Sequence, residues 1–146
     1  MKQNVKIKLL RENATCPSYQ SASAAGADLY AALDKAVAIE AGQTVLVPTG
    51  VAMEIPEGFV GLVFARSGLA TKKGLAPANK VGVIDSDYRG EIMVALHNHS
   101  GESAQILAGE RIAQIVLMPY LAAQFETAEE LSDTERGSGG FGSTGK

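Results

Sequence analysis

One cysteine, no tryptophan and no long apolar run are the first features of this sequence. The single cysteine, Cys16, has no partner for an internal disulfide, so an oxidised secretory scaffold is not indicated. No apolar run approaches the roughly 20 residues that a membrane-spanning helix needs. The N-terminal letters MKQNVKIKLL contain no apolar targeting segment. We therefore expect a cytoplasmic protein without a membrane partner.

An excess of positive charge is also missing. Lysine and arginine total 13 against 16 aspartate and glutamate residues, which gives a net charge of −3. A protein that coats nucleic acid presents a basic face to displace counterions, so no nucleic-acid partner is expected. A small anionic ligand, held by a few local cations, is compatible with this composition.

The apolar residues that are present follow the periodicity of β-strands. The chain has 146 residues, 46% of them hydrophobic, which fits a single domain with its own core. Val5, Ile7 and Leu9 alternate with lysines, as in a half-buried strand. Glycine and proline interrupt the apolar runs about every 8 to 12 residues, which is typical of a sandwich or barrel. Further strands are predicted at 43–47, 51–55, 58–64, 92–97, 112–118 and at a run ending at 125.

Helices are predicted to be scarce. At most one short helix is expected, over 67–73, while the alanine-rich stretch 22–33 is interrupted by Gly26 and is not assigned as a helix. The letters Pro-Thr-Gly at 48–50 predict a hairpin or a tight corner. From residue 132 onward the chain is rich in glycine and polar residues, so we expect a β core over 1–131 and a mobile arm over 132–146.

The segment Gly82-Val83-Ile84-Asp85-Ser86-Asp87-Tyr88-Arg89-Gly90 is the first candidate for chemistry. A carboxylate at the end of a strand, such as Asp85, can be held still enough to orient or deprotonate a water molecule. Tyr88 can pack flat against a ring or a sugar. The alternative is an ordinary polar hairpin tip.

Two segments offer phosphate ligands. In the letters ARSGLA at 65–70, Arg66 precedes a short helix for which Ser67 is a candidate N-cap, and free backbone N–H groups are expected there. The alternative is a capped turn with a surface arginine. The C-terminal letters RGSGGFGSTGK at 136–146 superficially contain a P-loop pattern, but no helix follows it, so a P-loop is rejected.

Two polar residues stand inside mostly apolar stretches. Gln114 interrupts the run 112–118, and Asp28 lies in the letters AGADLYAA at 25–32. Leaving such a group buried without a partner costs about 1–3 kcal/mol. Each therefore either faces solvent or bonds to something specific. By contrast Arg89, Lys72 and Lys73 are expected to add only long-range attraction.

Taken together, five segments resemble the five ordered motifs of the trimeric dUTPase family. The motifs are AGADLYAA (25–32), ARSGLA (65–70), GVIDSDYRG (82–90), GERIAQIVLMP (109–119) and RGSGGFGSTG (136–145). Each one alone is weak, whereas five in order are specific. The resemblance implies an all-β, jelly-roll-like barrel or sandwich and a homotrimer with active sites between subunits. It also implies hydrolysis of dUTP to dUMP and pyrophosphate, which keeps uracil out of DNA and supplies dUMP for thymidylate synthesis.

The resemblance also implies roles for residues at the nucleoside end. Asp85 would be the catalytic base that orients the attacking water and would also contact the sugar 3′-hydroxyl, and Tyr88 would pack under the deoxyribose. Asn79 would pair with the uracil edge, and Phe141 of the arm would stack on the base. The uracil and sugar pocket would be lined by the backbone of Val83, Ile84 and Met93.

At the phosphate end the resemblance implies two sets of ligands and one metal. The phosphate chain would be held by Arg66, Ser67, Gly68 and Gln114. The terminal phosphate would be reached from the arm by Arg136, Gly140, Ser143 and Thr144. The cofactor would be Mg2+, held mainly by substrate phosphates, with Asp28 contacting it through water.

Two other functions remain open at this point. A dCTP deaminase of the same fold would need a glutamate that activates water against the cytosine ring, and it differs from this chain at the second and third motifs. A β-sandwich binding module without catalysis would bind the nucleotide and release no product.

Overall fold

The computed structural model describes residues 4–140. Within that range the regular structure consists of short strands and of one helix of seven residues. The elements are β1 (Lys6–Leu9), β2 (Ala27–Tyr30), β3 (Val37–Ile39), β4 (Thr44–Pro48), β5 (Val51–Glu54), β6 (Phe59–Phe64), α1 (Ser67–Lys73), β7 (Leu75–Pro77), β8 (Gly82–Ile84), β9 (Met93–Asn98), β10 (Ala104–Ile106) and β11 (Arg111–Pro119).

These strands pair into small antiparallel sheets. The largest has the order β2-β11-β6-β8, and a three-stranded sheet has the order β4-β9-β7. Two further pairs, β1 with β5 and β3 with β10, extend the structure. Neighbours in these sheets are mostly distant in the chain, which is the pattern of a Greek-key or jelly-roll connection rather than a simple meander.

All of these sheets contribute side chains to one hydrophobic core. The fully buried members include Leu29 of β2, Ile39 of β3, Val51 of β5, Leu96 of β9 and Ile112 of β11. Strands that alternate one buried face with one outer face produce this arrangement when two layers pack against each other. The expected all-β, jelly-roll-like sandwich with one short helix is confirmed, and within residues 4–140 the sheets do not close into a barrel.

The predicted turn at 48–50 is a corner. It joins β4 to β5, which lie in different sheets. Gly50 has φ of +67°, and a Cβ atom there would lie 2.5 Å from the Cβ of Ala14. A residue with a side chain would therefore be strained and crowded, so glycine is required at this position.

Two further sequence expectations have different outcomes. The alanine-rich stretch 22–33 forms no helix, as expected, and it contains strand β2, which the sequence did not predict. The strand expected to end at 125 is wrong: from Leu121 to Gly140 the chain is irregular, and Phe125 is 94% exposed. A β-rich sequence forms a strand only where another backbone offers hydrogen bonds, and no strand within residues 4–140 pairs with this segment.

Candidate functional site

A hairpin turn between β7 and β8 forms one wall of the first candidate site. The turn is held by bonds from the Lys80 N–H to the Pro77 carbonyl at 3.0 Å and from the Val81 N–H to the Asn79 carbonyl at 2.7 Å. Lys80 has φ of +66°, an uncommon conformation for a residue with a side chain. Because β7 and β8 belong to different sheets, the turn spans a cleft between two sheet edges.

Two adjoining cavities occupy this cleft, and we call them together the hairpin pocket. The inner cavity has a volume of about 230 Å3 and reaches Asn79 and Gly82. The outer cavity has a volume of about 330 Å3 and reaches Asp85 and Tyr88. Both are lined by Leu46, Val83, Ile84 and Met93. Five of the residues expected at the nucleoside end, and Asp85 with them, are therefore brought together by one chain.

Asp85 lies at the rim of the hairpin pocket directly after β8. It is exposed, and no side chain within residues 4–140 donates a hydrogen bond to its carboxylate. Its backbone carbonyl accepts the N–H of Tyr88 at 3.2 Å, which folds the loop back over itself. A rigid backbone with an unengaged carboxylate is a suitable base for a bound water molecule.

Tyr88 is held in one orientation by its hydroxyl group and by a glycine. The hydroxyl donates to the carbonyl of Glu91 at 2.9 Å. A Cβ atom on Gly90 would lie 2.4 Å from that hydroxyl oxygen and 2.6 Å from the ring carbon that bears it. The glycine of the third motif therefore makes space for the tyrosine, a role that the sequence alone did not assign to it.

The loop 85–91 also carries an arginine that braces its backbone. Arg89 donates from Nη1 to the carbonyl of Ser86 at 2.6 Å and to that of Tyr88 at 3.0 Å. The expectation that Arg89 adds only long-range attraction is therefore incomplete.

The second candidate site is a group of four polar residues, which we call the arginine cluster: Asp28, Arg66, Arg111 and Gln114. Asp28 is buried, and each of its oxygens accepts one guanidinium: Arg66 Nε donates at 2.8 Å and Arg111 Nη1 at 3.2 Å. A buried carboxylate between two arginines is satisfied and fixes the direction of both. Arg66 thus has its Nε bonded to the protein, and its Nη1 lies 3.4 Å from the Arg111 carbonyl.

A β-bulge in β11 brings Arg111 into this cluster. Pairing with β2 shifts register between Arg111 and Ala113, so Ile112 is an extra residue. In a regular strand Arg111 would share the inward face of Ala113 and Ile115. The bulge reverses that alternation and places Arg111 on the face of Gln114. Sequence reasoning missed Arg111 because nothing in the letters marks a bulge.

Gln114 is positioned by the backbone of the second motif. Its Nε2 donates to the carbonyl of Ala65 at 2.8 Å. A Cβ atom on Gly26 would lie 2.3 Å from Gln114 Oε1, so the glycine of the first motif leaves room for this side chain. Of the two alternatives for Gln114, exposure to solvent or a specific hydrogen bond, the structure shows the hydrogen bond.

Helix α1 starts next to the cluster. Its N-cap residue is Arg66, which makes no side-chain capping bond, so the expectation that Ser67 is the N-cap is wrong. Ser67 is the first helical residue, and both Ser67 and Gly68 are exposed. The first N–H groups of a helix lack intrahelical acceptors, so they are available to a ligand here.

The far end of α1 is fixed as well. Lys73 donates to the carbonyl of Gln105 at 2.9 Å and pairs with the carboxylate of Glu110. Glu110 in turn accepts the N–H of Leu107 at 2.9 Å. Lys73 therefore anchors the helix to the loop before β11, which is more than the long-range attraction expected of it.

Asp85 of the hairpin pocket and Arg66 of the arginine cluster lie far apart within one chain, although the inner cavity is also lined by Val63, three residues before Arg66. In the pairing of β6 with β8, Gly61 is opposite Ile84, which places Asp85 beside Val60. Arg66 follows six residues later along the same direction, and at about 3.3 Å per residue this separates the two ends by about 20 Å. At that distance the Asp85 carboxylate and the Arg66 guanidinium of one chain would not meet on adjacent atoms of one small molecule.

The expected ligands in the arm are partly within the described residues. Arg136 is exposed, and its Nε donates to the carbonyl of Gly139 at 2.8 Å. Gly140 is half-buried and ends the described range. The expected roles of Phe141, Ser143 and Thr144 fall on residues outside that range.

The described side chains also indicate how Mg2+, the metal expected from the motifs, would be held. In the part of the chain that the structure describes, no three His, Cys, Asp or Glu side chains come together as a metal cluster. Both oxygens of Asp28 already accept guanidinium hydrogen bonds. This donor set does not form a protein cage, and it fits a hydrated Mg2+ that is held mainly by phosphate oxygens. The expected contact of Asp28 with Mg2+ through water stays a prediction.

A pocket with a free carboxylate, together with paired arginines beside a helix start, defines a protein that binds and acts on a small anionic molecule. The family model named dUTPase matches residues 12–145. A deoxyuridine 5'-triphosphate nucleotidohydrolase of Desulfitobacterium hafniense strain Y51 is 54% identical over 144 residues, covering 97% of this chain and 95% of its own length. Another from Acinetobacter baumannii strain AYE is 53% identical over 131 residues, covering 89% and 87%. The chain belongs to the dUTPase family.

Solved structures of dUTPases have the same fold. The dUTPase of Staphylococcus bacteriophage 80alpha, solved with dUpNHpp, has a TM-score of 0.91 and 31% identity, covering 99% of this chain and 100% of its own. A variant dUTPase from phage phi11 of S. aureus has a TM-score of 0.79 and 28% identity, covering 88% and 98%, and its structure describes the coordination of a structural Mg(II) ion. Within residues 4–140 of this chain, no helix has the length and apolar character to span a membrane.

Proposed function

We propose that this protein hydrolyses dUTP to dUMP and pyrophosphate by attack of water on the α-phosphorus. The observation that carries the proposal is the hairpin pocket, which places the free carboxylate of Asp85 and the fixed ring of Tyr88 on one cavity. Family membership supports the same reaction. A cytoplasmic location is part of the proposal.

The hairpin pocket is suited to reading uracil and deoxyribose. Its inner cavity has a volume of about 230 Å3 and is lined by Asn79 and by residues of β8, whose amide and main-chain groups can pair with the edge of a base. A thymine methyl group would not fit a tight pocket, and cytosine would leave buried donors and acceptors unpaired. The ring of Tyr88, at the outer cavity, lies where it can pack against the sugar and exclude a 2′-hydroxyl. The backbone of Val83, Ile84 and Met93 completes the lining.

Asp85 acts in this proposal as general base. It holds the attacking water in line with the departing pyrophosphate and accepts its proton as the new P–O bond forms. When bound, Mg2+ would offset charge on the phosphate chain. Arg66 and Gln114, with Ser67 and Gly68, hold that chain so that its developing charge meets preorganised donors.

The separation of about 20 Å along β6 supports a site shared between subunits. We propose a homotrimer in which the hairpin pocket of one subunit faces the arginine cluster of another. A closed ring of three copies repeats one heterologous contact and gives three equal sites. Within this arrangement residues 1–131 form the β core and 132–146 form an arm that reaches a neighbour's site. Arg136, Gly140, Phe141, Ser143 and Thr144 are its proposed contacts with the nucleotide.

The reaction is tested by measuring pyrophosphate from purified protein with dUTP, dTTP, dCTP and UTP, with Mg2+ or with EDTA. We expect release from dUTP, strong discrimination against the other three, and loss of the rate in EDTA. Ammonia release from dCTP would instead indicate the deaminase reaction, and dUTP binding without product would indicate a binding module. Either result would overturn the proposal.

The shared site is tested by mixing two inactive variants. Asp85→Asn and Arg66→Met each destroy one half of the site, so neither homotrimer should be active. After joint unfolding and refolding of equal amounts, each mixed trimer should have one site that combines an intact pocket with an intact arginine cluster, which is about a quarter of all sites in the sample. If each site were instead formed by one chain, the mixed sample would recover no activity. Light scattering on the same samples measures the oligomeric state.

The arm is tested by truncation after Glu135. We expect the rate to fall about a hundredfold because the terminal phosphate loses its donors. The trimer should stay intact, and full activity of the truncated protein would remove the arm from the proposal.

A further inference from the structure

The loop 85–91 is attached at its far end to the corner between β4 and β5. The N–H of Ile92 donates to the carbonyl of Val51 at 2.8 Å. The hydroxyl of Thr49, which is fully buried, donates to the carbonyl of Ile92 at 2.6 Å. These two bonds fix the residue that follows the loop to a corner whose own backbone requires a glycine.

Glu91 adds an ionic attachment between the loop and the same corner. Its Oε1 accepts the N–H of Gly50 at 2.8 Å and the Nε of Arg11 at 3.0 Å, while its Oε2 accepts Arg11 Nη2 at 3.1 Å. A guanidinium that binds both oxygens fixes the carboxylate in direction as well as in distance. The side chain of Glu91 is only 18% exposed, which reduces screening by solvent.

The backbone of Glu91 carries the contact that matters for the pocket. Its carbonyl accepts the hydroxyl of Tyr88, so the bond at the tip of the ring is made to a residue held by Arg11 and Gly50. Tyr88 is 44% exposed, and packing alone does not confine its ring. Glu91 also lines the outer cavity together with Asp85 and Tyr88.

We infer that Arg11 and Glu91 are positioning residues that set the plane of the Tyr88 ring and thereby select deoxyribose over ribose. The inference rests on the proposed function, in which this ring lies beneath the sugar. A Tyr88 ring that tilts would give the 2′-hydroxyl of a ribose room to enter. The selection of deoxyribose therefore depends on the ion pair between Arg11 and Glu91, which does not itself bind the sugar. The chemistry at Asp85 does not depend on it.

The experiment compares dUTP with UTP in five variants of the full chain. Steady-state kcat and KM for both nucleotides are measured with Mg2+ for Arg11→Met, Arg11→Lys, Glu91→Ala, Tyr88→Phe and the double variant Glu91→Ala/Tyr88→Phe. We expect the ratio of kcat/KM for dUTP to that for UTP to fall about fivefold to tenfold in Arg11→Met and Glu91→Ala, as when one positioning hydrogen bond is lost. Arg11→Lys should retain part of the ratio, since lysine supplies charge without the planar fork.

The double variant distinguishes positioning from general stability. If Glu91 acts through the tyrosine hydroxyl, Glu91→Ala/Tyr88→Phe should lose less than the product of the two single losses. The matched control is Glu40→Gln, which removes the same charge where the carboxylate accepts a bond from Ser103. Its ratio should equal that of the unmodified protein.

Each outcome is decisive. Melting temperatures that fall in Arg11→Met and Glu91→Ala while the ratio stays constant would show a merely structural ion pair and overturn the inference. Losses that multiply in the double variant would show that Glu91 does not act through Tyr88, and would overturn it too. If the unmodified protein releases no pyrophosphate from dUTP, the proposed function itself fails, which is a separate result. Arg11→Met and Arg11→Lys keep the test available if Glu91→Ala does not fold.

Discussion

The hairpin pocket and the arginine cluster are organised in opposite ways. In the cluster the charged side chains bind one another: Asp28 joins Arg66 and Arg111, and Gln114 bonds to the backbone before α1. In the pocket Asp85 makes no side-chain hydrogen bond within residues 4–140, and the loop around it is held mainly by side chains that donate to main-chain carbonyls, those of Tyr88 and Arg89.

The difference follows from what each region holds. Arginine has a long side chain with much rotamer freedom, so a guanidinium is ready for a phosphate only if other side chains hold it. A base is flat and its sugar is a compact ring, and both can be read by shape and by main-chain groups, which a strand edge already presents rigidly. The charged groups that would meet the ligand are therefore paired with each other in the cluster, whereas in the pocket the side-chain bonds hold the main chain and leave the Asp85 carboxylate unpaired.

The largest predicted effect is at Asp85. Asp85→Asn should lower kcat about a thousandfold, because the amide cannot accept the proton of the attacking water. Since the carboxylate makes no hydrogen bond to another described side chain, stability and dUTP binding should change little. Turnover is measured by pyrophosphate release and binding by calorimetry with a non-hydrolysable analogue. Normal turnover would remove Asp85 from the role of base.

Asp28 should show the reverse behaviour. Asp28→Ala leaves two guanidinium groups without their buried acceptor and should lower the free energy of unfolding by about 2 to 3 kcal/mol, near the lower end for a broken buried pair because Arg111 is partly exposed. Urea unfolding measures the change. Glu54→Ala, which breaks the exposed pair with Lys6, is the control and should cost less than about 1 kcal/mol. Equal losses in the two variants would contradict the organisation described for the cluster.

Much of the fold, and several residues of both candidate sites, could be predicted from the sequence. Period-2 patterns and β-rich apolar runs predicted six of the eleven strands within residues 4–140, and polar letters within apolar stretches drew attention to Asp28 and Gln114. The turn at 48–50 and the helix at 67–73 were marked by local chemistry, since turns and short helices depend on neighbouring residues. The resemblance supplied the grouping of Asn79 and Asp85 around one pocket.

The remainder depends on contacts that local sequence does not encode. Arg111 enters the cluster only because a bulge reverses the alternation of β11. Arg11 and Glu91 are 80 residues apart, and their pairing requires β1 and the corner to be in place. The strand expected up to residue 125 is wrong because a strand needs a partner backbone, which no single-chain pattern guarantees.

Two glycine substitutions compare the regions directly. Gly26→Ala would place a Cβ atom against Gln114, so the glutamine must turn away from the phosphate site. We expect KM to rise about tenfold for dUTP and UTP alike, since the phosphates are common to both. Gly90→Ala would place a Cβ atom against the Tyr88 hydroxyl, and it should instead lower the preference for dUTP over UTP.

The control for both is Gly101→Ala, where an added Cβ atom has no neighbour within 4 Å. It should leave KM and the preference unchanged. If Gly26→Ala altered the preference, or Gly90→Ala raised both KM values equally, the division between a phosphate region and a sugar region would be wrong.

The smallest predicted effect is the pH dependence of the bond between Arg11 and Glu91. The hydrogen bond from the Arg11 guanidinium, helped by the Gly50 N–H, lowers the pKa of Glu91, although partial burial opposes the shift. The pKa of Arg11 is raised, first by its hydrogen bond to Glu91 and also by the charges of Glu91 and Asp34. A lowered carboxylate pKa contributes stability that is present above the ordinary glutamate value and is lost as pH falls through the folded-state value.

Glu91→Gln should therefore be less stable than the unmodified protein at neutral pH, by about 1 kcal/mol. The difference should shrink as pH falls below the ordinary glutamate pKa, because protonated Glu91 and glutamine are then nearly equivalent. Thermal unfolding of both proteins across this pH range measures the difference in stability. When both also carry Arg11→Met, most of this difference should disappear at every pH. A gap that stays constant or widens in acid would mean that the charge of Glu91 does not hold the loop, and that Gly50 and Ile92 suffice to position Tyr88.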